Sequence, residues 1–158
     1  MGFALSNMQV SSSAFSQGGA IPKKHTGEGV DVSPALAWSN APEGTRAFAV
    51  VCHDPDAPLV SHGTYGYVHW VLYNIPGDTT KLDEGDSGYT SGKNDFGKAG
   101  YGGPMPPNGH GEHNYYFWVL ALGDDSKLEE GLTLWQLLEK IEPNLIGMNR
   151  LVGHYKRD

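Results

Sequence analysis

Apolar positions along this chain fall into short runs fenced by turn residues. Thr45 to Cys52 is rich in Val, Ala and Phe, and lies between Pro42-Glu43-Gly44 and Asp54-Pro55. Tyr67 to Ile75 is aromatic and β-branched, and Pro76-Gly77 closes it. Tyr115 to Leu122 is almost wholly apolar and ends at Gly123-Asp124. Leu151 to Tyr155 reads as a last strand. Such runs predict β-strands. The continuous apolar character of Tyr115–Leu122 predicts a central strand buried on both faces. Helical spacing occurs once, with Leu134, Leu137, Leu138 and Ile141 at i, i+3, i+4 and i+7. Thr133 before it and Gln136 three residues on form a capping-box pattern. Pro143 ends that helix or opens a second short one carrying Leu145, Ile146 and Met148. Strands first and helices late predict an antiparallel sheet with helical additions rather than βαβ winding.

Composition agrees with a turn-rich β domain. The 158 residues include 22 Gly and 10 Pro with no repeat period, which excludes collagen, and 11% aromatics, which argues against disorder. The length suits a single domain over 1–158. The net charge of −7 disfavours nucleic acid and anionic membrane surfaces as partners. The single cysteine, Cys52, cannot form an internal disulfide, and no apolar run approaches the roughly 20 residues of a spanning helix. The expectation is a soluble cytoplasmic protein with no integral membrane association.

Segment 78–112 holds nine glycines between Gly85 and Gly111, together with Pro104, Pro106 and Pro107. It is expected to be irregular. A proline-stiffened loop with glycine gaps suits close backbone approach to a ligand.

Three clusters could carry chemistry. In His53-Asp54-Pro55-Asp56-Ala57-Pro58, the two carboxylates are held in a fixed turn, either capping local N–H groups or serving a site. His69-Trp70 lies inside a strand, where alternation sends the two side chains to opposite faces and places Val71 on the face of His69. His69 can then be a satisfied core residue or a ligand contact. The third cluster runs from Gly102 to Tyr115, and its His113 and Tyr115 enter the strand on one face.

Several chemistries fail on these residues. His110 and His113 share a loop, not a helix face, and HExxH is missing, so no metal or cofactor is expected. No G-x-S-x-G is present, and Ser87-Gly88 has no strand–elbow–helix context. Cys52 and His53 are strand neighbours that face opposite ways. Neither G-x-G-x-x-G nor a phosphate-binding Walker loop occurs. An anion site fits better. Imidazoles, a tyrosyl hydroxyl and glycine N–H groups can donate to phosphate oxygens, while aspartates orient the histidines or meet an amine.

Asp54-Pro55-Asp56-Ala57-Pro58, His69-Trp70, and Tyr101-Gly102-Gly103-Pro104-Met105-Pro106-Pro107 with Gly109-His110-Gly111 and His113-Asn114-Tyr115 resemble the phosphatidylethanolamine-binding protein family. Asn94-Asp95-Phe96-Gly97 and the compact size resemble its bacterial and archaeal, Raf-kinase-inhibitor-like branch. The resemblance spans about Phe3 to Arg157. It implies a mostly β fold with a large central antiparallel-rich sheet, a smaller second sheet and short helices in the C-terminal region. It also implies a small anion pocket at one end of the sheet. Carried over by motif, the pocket rim is Asp54, Asp56, His69, Gly103, His113 and Tyr115, with Tyr101 and Pro104 shaping the loop. The donors to the anion would be His69, the Gly103 N–H and the Tyr115 hydroxyl.

This chain departs from the family pattern in three places. Leu59-Val60 replace a polar residue and arginine, Asn114 replaces a basic residue, and Tyr67-Val68 stand where tryptophans are common.

The leading expectation is a non-enzymatic module that binds a small phosphate-bearing ligand, such as a phosphoethanolamine-like head group or a phosphorylated group. Two other readings remain. One is an inhibitor of a protein kinase or serine protease, resting on the resemblance alone. The other is a hydrolase using Asp54, Asp56, His69 and His113. The resemblance also implies a homodimer.

Overall fold

The computed structural model describes residues 5–57, 65–86 and 88–157. Leu59-Val60 and Ser87 lie outside the described residues.

The chain forms strands β1 (Gln9–Ser11), β2 (Leu36–Ser39), β3 (Ala47–Asp54), β4 (Tyr67–Pro76), β5 (Lys81–Leu82), β6 (Thr90–Ser91) and β7 (His113–Leu122), then helix α1 (Leu134–Ile141) and strand β8 (Leu145–Tyr155). Among the described residues these make a five-stranded sheet in the order β6-β4-β3-β7-β8 and a three-stranded sheet in the order β1-β2-β5. All strand pairs in both sheets are antiparallel. The expected mostly β fold, with a large sheet, a small sheet and a short late helix, is what forms.

Both faces of the large sheet are covered, which explains the unbroken apolar runs. Tyr115, Phe117, Val119 and Ala121 of β7 join a core that includes Met8, Phe15, Leu36 and Trp38 from the N-terminal half. The alternate residues Leu120 and Leu122 face a second core under α1, with Leu134, Leu137 and Ile141. Each fully buried side chain of this size contributes roughly 1.5–3 kcal/mol relative to exposure. The helix begins as expected. Thr133 accepts from the Gln136 N–H at 3.2 Å, and the Gln136 side chain accepts from the Thr133 N–H at 3.0 Å.

Three readings from the sequence change. Leu145, Ile146 and Met148 are not helical. A one-turn 3₁₀ helix at Glu142–Asn144 absorbs Pro143, and the last strand already starts at Leu145. Pairing with β7 supplies hydrogen bonds that a helix of three apolar residues could not match. The glycine-rich segment is not wholly irregular, since β5 and β6 interrupt it. The N-terminal strands β1 and β2 had no clear signal, being only three and four residues long.

The third change concerns β4, which carries two irregularities. Phe48 pairs with Ile75 and Val50 with Leu72, so two β4 residues oppose Ala49. Asn74 there takes a positive φ of 58°. Its side chain donates to Thr90 Oγ1 and Leu128 O and accepts from the Leu128 N–H. The second irregularity is at His69. Cys52 pairs with Trp70 and His53 with Val68, which leaves His69 as the extra residue of a bulge. Val68 and Val71 therefore share the α1-side core, while Trp70 belongs to the other. Simple alternation placed His69 with Val71. Instead the bulge turns its ring toward Tyr115, at a centroid distance of 5.2 Å.

Removing the cap by Thr133→Ala should lower stability by about 1 kcal/mol in urea denaturation. Asn74→Ala should lower it further, because it loses three hydrogen bonds and places alanine at positive φ.

Candidate functional site

The ends of β3, β4 and β7 converge on a cavity of ≈ 250 Å³. Asp54, His69, His113 and Tyr115 line it. Asp54 is the last residue of β3 and lies on the Cys52 face. The bulge presents His69, and His113 and Tyr115 sit two apart on β7. The remaining wall is apolar, from Tyr67, Phe96, Ala57, Met105, Pro106 and Pro107. None of the described lining residues is Lys or Arg.

Asp54 performs both tasks open to it. Oδ1 accepts from the Asp56 N–H at 2.8 Å, capping the turn, and Oδ2 accepts from His113 Nδ1 at 2.7 Å. Burial raises the Asp54 pKa, and the His113 hydrogen bond opposes that shift. His113 Nε2 in turn lies 2.6 Å from Nδ1 of His110. An Asp54–His113–His110 chain therefore runs from the buried cavity to an exposed imidazole. The sequence places His110 in a loop with His113 and in the Gly109-His110-Gly111 motif. Its role escaped the sequence because it depends on a loop folding back over β7.

His69 is held differently. Nδ1 is 2.7 Å from the Gly102 carbonyl, which can only accept, so Nδ1 carries the hydrogen. Burial lowers the His69 pKa to about 4, against the weaker opposing effect of the Gly102 hydrogen bond. The ring is neutral at pH 7, with Nε2 as a lone-pair acceptor. Tyr67, Phe96 and Tyr115 surround it at centroid distances of 5.1, 5.5 and 5.2 Å. Phe96 is positioned by the turn at Asn94, whose Oδ1 accepts from the Phe96 and Lys98 N–H groups. Asp95 ties that turn to β4 by accepting from the Val68 N–H at 2.7 Å. In the sequence Phe96 belongs to the Asn94–Gly97 motif and Tyr67 stands where tryptophans are common, and neither is marked as a site residue. Burial also pushes the Tyr115 hydroxyl well above the ordinary tyrosine range, so it remains a donor.

The other four candidates stand behind the cavity. Asp56 accepts from the Asn114 N–H at 2.8 Å and from its side-chain amide at 3.1 Å, bracing the start of β7. Tyr101 donates to the His25 carbonyl at 2.6 Å and stacks edge-on with Trp70. The Pro104 carbonyl accepts from the Gly27 N–H. The Gly103 N–H donates to Asp31 Oδ1 at 2.8 Å. That last bond corrects the expected donor role of Gly103, because its N–H is already engaged inside the protein. Glycine is required there for a different reason: a Cβ would collide with the His25 carbonyl. Segment 25–31 is thus the buttress of the Gly102–Gly103 strap. His25 is completely buried, with Nδ1 donating to the Val32 carbonyl.

A larger cavity of ≈ 500 Å³ lies between α1 and the other sheet face. Its walls, such as Trp118, Leu120 and Leu138, are apolar, and its polar groups are His53, Glu139 and Glu142. It lacks the converging donors and acceptors that orient a polar ligand.

Comparison with known proteins agrees with this architecture. The phosphatidylethanolamine-binding protein family model matches residues 11–156. A UPF0098 protein of Aquifex aeolicus is 42% identical, covering 96% of this chain and 90% of its own. The crystal structure of a phosphatidylethanolamine-binding protein homolog from Chlamydia trachomatis is 37% identical and superimposes with a TM-score of 0.88, covering 96% of this chain and 98% of that one. Escherichia coli YbcL, described as a member of the mammalian family, is 33% identical with a TM-score of 0.87, over 97% and 100% of the two chains. The chain belongs to the phosphatidylethanolamine-binding protein family. No helix among its described residues is long and apolar enough to cross a membrane.

The depressed His69 pKa carries a signed consequence. As pH falls from the ordinary histidine value of 6.5 toward about 4, the unfolded chain gains a proton that folded His69 refuses. Stability should fall through that window by about 3 kcal/mol from this group, then level off. Asp54 opposes this, because its raised pKa favours the folded state as acid is added. Comparing urea midpoints of the parent and His69→Gln from pH 7 to 4 isolates the histidine, and the variant should show the shallower acid loss.

Proposed function

We propose that this protein is a non-enzymatic binding module that takes a small phosphate-bearing ligand of the phosphoethanolamine head-group type in the β3–β4–β7 cavity. Family membership supports a binding protein. The convergence of Tyr115, His69 and the Asp54–His113 pair in one small cavity supports the site. At ≈ 250 Å³ the cavity falls below the roughly 300–1,000 Å³ of drug-sized sites, so it suits a head group and not acyl chains. The Tyr115 hydroxyl has no hydrogen-bond partner among the described residues and is available to a phosphate oxygen. The Asp54 carboxylate offers an amine its counter-charge.

The same geometry argues against hydrolysis. Both Asp54 oxygens already accept protein hydrogen bonds, and Asp56 braces Asn114 outside the cavity. The raised Tyr115 pKa makes that hydroxyl a poor nucleophile. A kinase- or protease-inhibitor role rests on the family resemblance alone.

Titrating phosphoethanolamine into the protein at pH 6.5 should shift the ring signals of His69 and His113 selectively among the seven histidines. Tyr115→Phe should weaken binding roughly ten- to hundredfold, the effect of losing one donor to a charged group. No shift at either histidine would overturn the assignment.

A further inference from the structure

The geometry points to a ligand that brings its own acidic proton: the cavity is built for the monoanion of a phosphomonoester, and it rejects phosphodiesters and sulfate. This inference rests on the phosphate-site reading and narrows its ligand class.

It follows from the hydrogens present on the cavity wall. The neutral His69 ring has one N–H, on Nδ1, and the Gly102 carbonyl holds it at 2.7 Å. Nε2 is left as a lone pair, with no hydrogen-bond partner among the described residues. His113 gives its Nδ1 hydrogen to Asp54. Its Nε2 faces His110 Nδ1 at 2.6 Å, so whichever ring carries that proton, it lies between the two rings and not in the cavity. The Gly103 N–H belongs to Asp31. Of the donors expected for an anion, the Tyr115 hydroxyl remains, opposite an acceptor on His69.

The charges around His69 lead to the same result. Asp54 and His53 approach it from β3, His113 and Tyr115 from β7, Tyr67 from its own strand, and Phe96 and the Gly102 and Gly103 backbone from the loops. Asp54 is the acidic side chain among them. A fully deprotonated oxyanion would set an oxygen lone pair against the Nε2 lone pair, with a carboxylate nearby. A phosphomonoester monoanion instead donates its P–O–H to Nε2 and accepts from Tyr115. The proton stays on the ligand, because the second pKa of a phosphomonoester is about 6 and that of His69 is about 4. Sulfate and phosphodiesters have no such proton near neutral pH. The intact head group of a phospholipid is a diester, and a hydrolysed head group or a phosphorylated side chain is a monoester. The lone pair on His69 therefore separates sources that share a phosphate.

The test is calorimetric titration of the parent protein with phosphoethanolamine, dimethyl phosphate and inorganic sulfate, each at pH 6 and pH 8. At pH 6, phosphoethanolamine should bind roughly ten- to hundredfold more tightly than the other two, the effect of one unmatched buried acceptor. With a second pKa of about 6, half of a monoester is monoanion at pH 6 and about one part in a hundred at pH 8, so its affinity should fall on the order of fiftyfold. His69→Gln can turn an amide N–H toward the cavity, so sulfate should approach phosphoethanolamine in affinity in that variant. Equal binding of dimethyl phosphate or sulfate by the parent, or a flat pH response for phosphoethanolamine, overturns the inference and leaves the phosphate site standing. Binding of none of the three overturns both.

Discussion

The hydrogen bond from His69 Nδ1 to the Gly102 carbonyl is the contact on which the site turns. It joins the bulge of β4 to the glycine strap that crosses the end of the sheet. The Gly102 N–H returns a bond to the His69 carbonyl at 2.9 Å, so two chain segments 33 residues apart are locked as a pair. The tautomer and the orientation of the ring follow, and burial keeps the ring neutral. A regular strand would have sent the same imidazole into the α1-side core with Val71.

The strap keeps its position because a second layer holds it. Tyr101, Gly103 and Pro104 engage His25, Asp31 and Gly27 in turn, and Asp31 adopts a positive φ of 65° to do so. The wall of a polar site thus depends on a segment more than 70 residues away in the chain. On the opposite rim, Asp54 and Asp56 fasten the entry of β7 through His113 and Asn114. Several motif residues serve this framework and stand behind the cavity lining. Their spacing is constrained by what they must hold, which is why they form a dense motif without forming the cavity surface.

The electrostatic character of the cavity is set by commitment of hydrogens more than by residue type. Two histidines and an aspartate suggest a cationic anion trap when read as a composition. Folded together, they become a neutral imidazole, a carboxylate–imidazole pair and a lone pair facing inward. Burial drives this outcome, since a charged His69 would be cut off from the water that would hydrate it.

Local patterning alone determined the long strands, the capped helix, the absence of parallel winding and the neighbourhood of the site. Those features depend on side-chain periodicity and on turn residues, which act over a few positions. Asp54, His69, His113 and Tyr115, which the motif order singles out, all line the cavity. Tertiary structure decided the rest. Strands of two to four residues gained their existence from pairing partners far along the chain. A bulge reversed the facing of His69, and contacts with distant backbone groups engaged the Gly103 N–H and seated His110 on His113. Which residues are rich in hydrogen-bonding groups can be read from their identity. Which of those groups remain available to a ligand depends on partners tens of residues away, and only the folded chain brings those partners together.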